Sequence, residues 1–227
     1  MEVVKKHFEE EASEFDTTIL KLVPHYTHMI EALVSAIPFN KTDTINIIDL
    51  GCGTGYISMN LKERFPESKL TCLDFAENMI AQAKIRMKKY KNVDYCLADI
   101  REYDFDEKYH AAVSSLALHH LETKEDKKKF YTKIFDSLES GGVFYNADII
   151  LGSSDKLHQI YIAKWKEFMA KSLSEDEIEN TWMTKHHEED RPEILLEQIS
   201  WRKDIGFEGV DVLWKYYNFA VYGGTKP

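Results

Sequence analysis

The stretch Ile47-Ile48-Asp49-Leu50-Gly51-Cys52-Gly53-Thr54-Gly55 decides the fold. Its apolar first half predicts a buried strand, and its three glycines at alternate positions predict a turn that brings bare backbone close to a ligand. The spacing G-x-G-x-G differs from the dinucleotide fingerprint, which would need its third glycine at Tyr56. No Lys-Ser/Thr pair follows the glycines, which disfavours a phosphate-binding loop of the Walker type. We therefore expect a strand, a turn and a helix that bind a ligand other than NAD or a nucleoside triphosphate.

Short β-branched apolar runs alternate with amphipathic segments as far as about residue 150. The runs that predict strands are Ile45–Leu50, Leu70–Leu73, Val93–Leu97, Ala111–Ser115 and Val143–Ile150. Two segments between them, Ala76–Tyr90 and Lys124–Leu138, predict helices, and Ser140-Gly141-Gly142 predicts the end of the second helix. This alternation is typical of βαβ units in a parallel sheet.

The remaining segments complete a single α/β domain over residues 1–227. A last helix, about Pro192–Asp204, precedes two strands, Val210–Lys215 and Tyr217–Tyr222, that could form a hairpin at the sheet edge. We expect a Rossmann-like, seven-stranded, mostly parallel sheet with helices on both faces. The predicted segments are an N-terminal helical extension packed over the sheet at 1–43, a cofactor-binding core at 44–150, a helical lid insert after strand five at 151–190, and the final helix and strand hairpin at 191–227.

Composition limits the function classes. The chain has 44% apolar and 12% aromatic residues, enough for a packed core, and a formal charge of −10, which disfavours a nucleic-acid substrate. No membrane-length apolar run or signal-peptide pattern is present in the sequence, so we expect a cytoplasmic protein without a membrane partner. Three cysteines, Cys52, Cys72 and Cys96, lack CxxC spacing and are expected to be buried, reduced thiols.

Polar residues follow four successive predicted strands. After the glycine turn come Asp74, Asp99-Ile100 and a segment from Ser114 to Leu121. The carboxyl ends of parallel strands meet at one crevice, where a carboxylate at Asp74 could accept both hydroxyls of a ribose and Asp99 could meet an adenine edge. Any one of these acids could instead cap a helix. Their order along the chain favours a nucleoside-containing cofactor.

These motifs resemble those of class I S-adenosylmethionine-dependent methyltransferases over residues 45–150. The two chain ends resemble carboxy-S-adenosylmethionine synthases and related small-molecule methyltransferases, through Phe15-Asp16, Val23-Pro24-His25-Tyr26, Gly206-Phe207, Trp214 and Asn218-Phe219. The resemblance implies S-adenosylmethionine as cofactor, with Phe75 and Met79 suited to sandwich its adenine. The residues expected to bind it are Tyr26, Asp49, Gly51, Cys52, Gly53, Gly55, Asp74, Phe75, Met79, Asp99, Ile100 and Ser115.

The sequence says less about which residues bind the methyl acceptor. Methyl transfer is an in-line displacement, so a base is needed only if the acceptor must lose a proton early. His119, His120 and Asp148 are the candidate catalytic residues, although each could equally be structural. An apolar pocket of Trp165, Phe168 and Trp182 is one alternative to ordinary core packing of those rings.

A run of imidazoles and carboxylates, His186-His187-Glu188-Glu189-Asp190, invites a metal interpretation. It lacks the i, i+4 spacing of a helical histidine pair, and adjacent residues point apart. We therefore expect no metal, and a polar segment of the insert.

Three functions compete at this stage. The leading one is methyl transfer to a small-molecule acceptor, with a homodimer left open as the assembly. A carboxy-S-adenosylmethionine synthase, which serves transfer-RNA wobble uridine modification, is the first alternative, and a non-catalytic S-adenosylmethionine-binding protein is the second.

One position bears on the first alternative. Carboxy-S-adenosylmethionine synthases carry an arginine shortly before a Gly-Phe pair, where it pairs with the extra carboxylate. Counted back from Gly206-Phe207, that position is Trp201, whose indole offers one neutral donor. Arg202 could substitute only after a rotation of about 100°. We therefore expect ordinary S-adenosylmethionine to bind more tightly than the carboxylated form, and Trp201 to wall the acceptor or pack its helix.

Overall fold

A computed structural model describes residues 2–227 and contains one seven-stranded sheet. The strand order is β3-β2-β1-β4-β5-β7-β6; the first five strands run parallel, and β7 pairs antiparallel with both β5 and β6. The fold predicted from sequence is confirmed. The strands are β1 Asn46–Leu50, β2 Lys69–Asp74, β3 Val93–Leu97, β4 Tyr109–Ser115, β5 Leu138–Ile149, β6 Glu208–Tyr216 and β7 Phe219–Thr225.

Helices cover both faces of this sheet. They are α1 Glu2–Glu11, α2 Phe15–Leu22, α3 Tyr26–Ser35, α4 Tyr56–Arg64, α5 Glu77–Met87, α6 Lys124–Ser137, α7 Asp155–Met169, α8 Glu175–Glu177, α9 Thr184–Glu189 and α10 Leu195–Ile205. A 3₁₀ turn, Leu118–His120, follows β4, and a π-helical segment, Ile178–Met183, joins α8 to α9.

The alternation of side chains in the strands explains the two layers. In β1, Ile47 packs into a core that contains α3, α4 and α5, whereas its neighbour Ile48 packs into a second core that contains α6 and α10. Both isoleucines are fully buried. Because successive side chains point to opposite faces, a central strand covered by helices on both sides is mainly apolar.

The Gly141-Gly142 pair does not end a helix, contrary to the prediction. Helix α6 already ends at Ser137, and the glycines lie inside β5. Between the pairs Tyr109–Leu138 and Ala111–Val143, one residue of β4 faces four residues of β5, so the strand bulges there. Gly141 has φ +78°, and a Cβ on Gly142 would lie 2.9 Å from a backbone oxygen of the bulge. The glycines therefore permit the bulge.

Helix α10 begins at Leu195, three residues later than predicted, and ends at Ile205, with Gly206 as its C-cap. Cys52 and Cys72 are buried and reduced as expected, while Cys96 is free but only partly buried. Within residues 2–227, the model has no helix that combines the length and apolarity needed to cross a bilayer.

Candidate functional site

A deep chamber opens at the carboxyl ends of β1, β2 and β4, with a volume of about 770 Å³. We call it the cofactor chamber. Ten of the twelve residues predicted to bind the cofactor line it: Tyr26, Gly51, Cys52, Gly53, Asp74, Phe75, Met79, Asp99, Ile100 and Ser115. The other two do not line the chamber: Asp49 lies beneath the glycine turn, and Gly55 is the residue of that turn that caps α4.

The glycine turn forms because it needs backbone angles that side chains rarely adopt. Gly51, Gly53 and Gly55 all have positive φ, at +74°, +52° and +79°. A Cβ on Gly51 would lie only 2.5 Å from the Cβ of Ala117, whereas nothing lies within 4 Å of one on Gly53. Gly51 therefore permits close packing against the β4 turn, and Gly53 leaves backbone open to the chamber.

Asp74 ends β2 and is tied to the glycine turn. One carboxylate oxygen accepts the amide of Gly53 at 2.8 Å, and the other accepts the amide of Ala76 at 2.9 Å. Burial raises the pKa of Asp74 to about 6, although these amides oppose the rise. Each oxygen keeps a lone pair for a further donor, so the carboxylate can hold the turn and still accept hydroxyls.

Asp49 lies beneath the turn, where its Oδ2 accepts the Ser58 hydroxyl at 2.6 Å. Among residues 2–227, no group hydrogen-bonds to its Oδ1, and complete burial raises the pKa of Asp49 to about 7. A carboxylate of this kind is poised to respond to a cation placed nearby.

After β3, at one wall of the chamber, Asp99 accepts a forked pair of hydrogen bonds from Arg101, at 3.0 and 2.7 Å. Partial burial alone would raise the Asp99 pKa, but the guanidinium outweighs it and lowers that pKa. Asp99 is thus held as a carboxylate at the chamber wall.

Helix α1 roofs the chamber, a contact that the sequence did not reveal. Phe8 lines the chamber and packs against Phe75, with ring centroids 6.2 Å apart. The Glu9 carboxylate fixes the helix in place by accepting the amides of Glu77 and Asn78, at 2.6 and 2.7 Å, at the start of α5. The only sequence feature that could have predicted this contact is the apolar residue Phe8 in a mainly polar helical segment. That feature predicts that Phe8 is buried, but not which surface it packs against.

A second chamber of about 860 Å³ adjoins the first. We call it the acceptor chamber. Four residues line both chambers and mark where they meet: Phe8, Phe15, Leu116 and His120. Aromatic rings form much of its wall, including Trp165 and Trp182 as predicted, but Phe168 does not line it.

Polar groups at the floor of the acceptor chamber converge on His119. Its Nδ1 donates to Asp148 at 2.5 Å, and its Nε2 lies 3.3 Å from Asp190. Burial opposes the charged imidazolium, yet the two carboxylates raise the His119 pKa to about 10. Burial and the neighbouring His119 lower the pKa of His120 to about 3. All three candidate catalytic residues therefore belong to one cluster, which His120 connects to both chambers.

Asp190 joins this cluster from the far end of α9. It was noticed in the sequence only as the last residue of a polar run, because nothing local pairs it with His119. The Arg191 amide donates to the His119 carbonyl at 2.9 Å, which holds the two segments together.

Neither Trp201 nor Arg202 lines either chamber. Trp201 packs α10 against α6, beneath Lys124 and Lys128. The fully buried guanidinium of Arg202 stacks on aromatic rings of the core, at 4.2 Å from the ring centre of Tyr131 and 4.4 Å from that of Tyr222. Of the two roles expected for Trp201, the structure shows helix packing.

Comparison with known proteins agrees with this architecture. Residues 47–142 match a family model described as a methyltransferase domain. The chain is 27% identical to a carboxy-S-adenosyl-L-methionine synthase of Nautilia profundicola, over 98% of this chain and 96% of the relative. It is 34% identical to a malonyl-[acyl-carrier protein] O-methyltransferase of Bacillus anthracis, over 51% of this chain and 42% of the relative.

Solved structures share the fold over nearly the whole chain. A methyltransferase in complex with the Haloferax volcanii activator Trm112 superposes with a TM-score of 0.69 at 14% identity, covering 97% of each chain. The DhpI–SAM–HEP complex gives a TM-score of 0.66 at 19% identity, covering 96% of this chain and 94% of the other. The solved structures show the same fold, and the family model and the curated relatives support a class I S-adenosylmethionine-dependent methyltransferase.

Proposed function

We propose that this enzyme methylates a small molecule that binds in the acceptor chamber. The observation that carries the proposal is the junction of the two chambers at Leu116 and His120. Methyl transfer from a sulfonium requires the acceptor atom on the far side of the methyl carbon, in line with the breaking bond. Two adjoining chambers provide that arrangement, one for the cofactor and one for the acceptor.

In this proposal each cofactor residue has a physical role. The bare backbone at Gly53 lets the methionine end approach the start of α4, Asp74 accepts the ribose hydroxyls, and Phe75 with Met79 encloses the adenine. Asp99 and Ile100 meet the adenine edge, and Tyr26 and Ser115 close the chamber around the sulfonium end. Asp49 supports the turn from behind, where its charge favours the cationic cofactor.

The walls of the acceptor chamber suggest the kind of acceptor. Trp165, Trp182 and Phe219 offer aromatic surface, while the cluster around His119 supplies polar contacts at one end. A small molecule with an apolar body and one nucleophilic oxygen, nitrogen or carbon fits this division. His119 and His120 line this chamber and are placed to orient the acceptor, and Asp148 positions His119 from behind.

The carboxy-S-adenosylmethionine alternative keeps the support of the likeness in sequence along the whole chain. Against it, no Lys or Arg side chain among residues 2–227 lines the cofactor chamber. An extra carboxylate on the cofactor would then be desolvated without a cationic partner. We therefore expect ordinary S-adenosylmethionine to outcompete the carboxylated form in a titration, and the opposite order would favour the alternative.

Product analysis tests the proposal. The enzyme is incubated with methyl-labelled S-adenosylmethionine and a metabolite extract. Label in a small molecule, with release of S-adenosylhomocysteine, is expected, and Asp74→Ala serves as the control that reduces both. A carboxylated cofactor as product would favour the synthase, and binding without turnover would favour a non-catalytic binding protein.

A further inference from the structure

The carboxylate of Asp190 lies between two histidine rings at the floor of the acceptor chamber. Its Oδ1 is 3.3 Å from His119 Nε2 and 3.5 Å from His120 Nδ1. Both separations exceed the usual length of an N–H···O hydrogen bond, about 2.7–3.2 Å. By contrast, His119 Nδ1 and His186 Nδ1 lie 2.5 and 2.7 Å from their carboxylate partners. The three facing atoms are thus close together without bonding one another well.

The two separations from Asp190 Oδ1 match the edge of a metal coordination tetrahedron. Zinc binds histidine nitrogen at about 2.0–2.1 Å and carboxylate oxygen at about 2.0–2.2 Å, which places neighbouring tetrahedral donors about 3.3–3.5 Å apart. The ligand atoms of His119, His120 and Asp190 all lie within 4.8 Å of one another. Small side-chain rotations would bring them to a shared ion.

Groups behind two of the three residues, His119 and Asp190, hold them in the required orientation. Asp148 accepts the Nδ1 proton of His119, which leaves Nε2 as the atom that faces Asp190. His186 binds the other oxygen of Asp190 and leaves Oδ1 free to face the two imidazoles. A carboxylate behind a histidine ligand is the usual outer-shell arrangement of zinc sites, where it fixes the ring and raises its basicity.

We propose that His119, His120 and Asp190 form a site for a divalent transition-metal ion of the zinc type. Two imidazoles and one carboxylate suit zinc better than magnesium or calcium, which take mainly oxygen ligands. Three protein ligands leave a fourth position, and all three residues line the acceptor chamber.

The role of the ion rests on the proposed methyl transfer. An acceptor oxygen, nitrogen or sulfur that occupies the fourth position would be oriented toward the cofactor chamber, since His120 lines both chambers. The acceptors expected are therefore those with a metal-binding heteroatom at or next to the methylated position.

Metal titration tests the site without any knowledge of the acceptor. Full-length enzyme is freed of metal with a chelator and titrated with Co²⁺, whose visible absorption reports tetrahedral coordination, and then with Zn²⁺ in competition. We expect about one ion per chain and displacement of the cobalt spectrum by zinc. Asp190→Asn and His120→Ala should each weaken binding at least tenfold, and Asp148→Asn about 10–100-fold.

His187→Ala is the matched control, because His187 lies on α9 three residues from Asp190 but is exposed and outside the cluster. Its metal affinity should equal that of the unchanged enzyme. Thermal unfolding, measured on each variant, shows whether the variant is folded. Absence of the cobalt spectrum, or equal metal binding by Asp190→Asn and the unchanged enzyme, would overturn the metal site. If the unchanged enzyme binds the metal but transfers no methyl group to any small molecule, the proposed function would be wrong while the metal site would stand.

Discussion

Replacing Asp74 with alanine should weaken S-adenosylmethionine binding while the enzyme stays folded. In the structure its two oxygens already accept the amides of Gly53 and Ala76. The proposed ribose hydroxyls would use the remaining lone pairs, through hydrogen bonds to a charged group worth about 1.5–3 kcal/mol each. Loss of one such bond corresponds to about a tenfold to 150-fold weaker dissociation constant. The alanine also frees the glycine turn, so the measured loss should not fall below tenfold.

Isothermal titration of the cofactor measures this directly, and thermal unfolding shows whether the variant is folded. Asp94→Ala is a matched control, since Asp94 is an exposed carboxylate on the next strand, paired only with Lys69 at 3.7 Å. Its affinity should be unchanged. An Asp74→Ala enzyme that binds the cofactor as well as the control would refute the ribose assignment and leave Asp74 as a support for the turn alone.

Three further outcomes are expected. The Asp49 pKa is raised from 3.8 to about 7, so the apo enzyme should lose stability as pH rises from about 4 to 7 and level off above that. Between pH 5 and 8, urea unfolding of Asp49→Asn should gain about 2–3 kcal/mol on the unchanged enzyme, and parallel curves would contradict the raised pKa. Trp182→Ala removes an acceptor-chamber ring and should raise the KM for the acceptor severalfold with cofactor affinity unchanged; equal shifts in both would contradict the separation of the chambers. Deletion of residues 153–190 should reduce methyl transfer to the acceptor more than it reduces cofactor affinity, provided that the shortened chain folds. Loss of cofactor binding in a folded protein would contradict the assignment of these residues to the acceptor chamber.

The parallel sheet and the cofactor chamber were accessible from sequence because their signals are local. Five apolar runs marked the parallel strands, and Gly51 and Gly53 required a turn with positive φ. The topology then placed Asp74 and Asp99 at the same sheet edge without further information. The sheet and the cofactor chamber could therefore be predicted, because a residue's place at the end of a strand fixes its place in the fold.

The acceptor chamber was not accessible in the same way. Asp190 reaches His119 across 71 positions of the chain, through the Arg191 amide and the packing of the insert. The roof formed by Phe8 depends on a contact with Phe75 at similar separation. Local patterns do not encode which distant surfaces meet, and so His119 and His120 could be named but not their partners. The Gly141-Gly142 pair was misplaced for a related reason, because a glycine pair that permits a strand bulge looks the same in sequence as one that ends a helix.

The structure of the full-length enzyme with bound S-adenosylmethionine tests the central claim most directly. The account predicts ribose hydroxyls within about 3 Å of the Asp74 carboxylate, the adenine beside Phe75, and the methyl group directed past Leu116 and His120 into the acceptor chamber. A cofactor bound outside the chamber, or one whose methyl group points away from His120, would contradict the account.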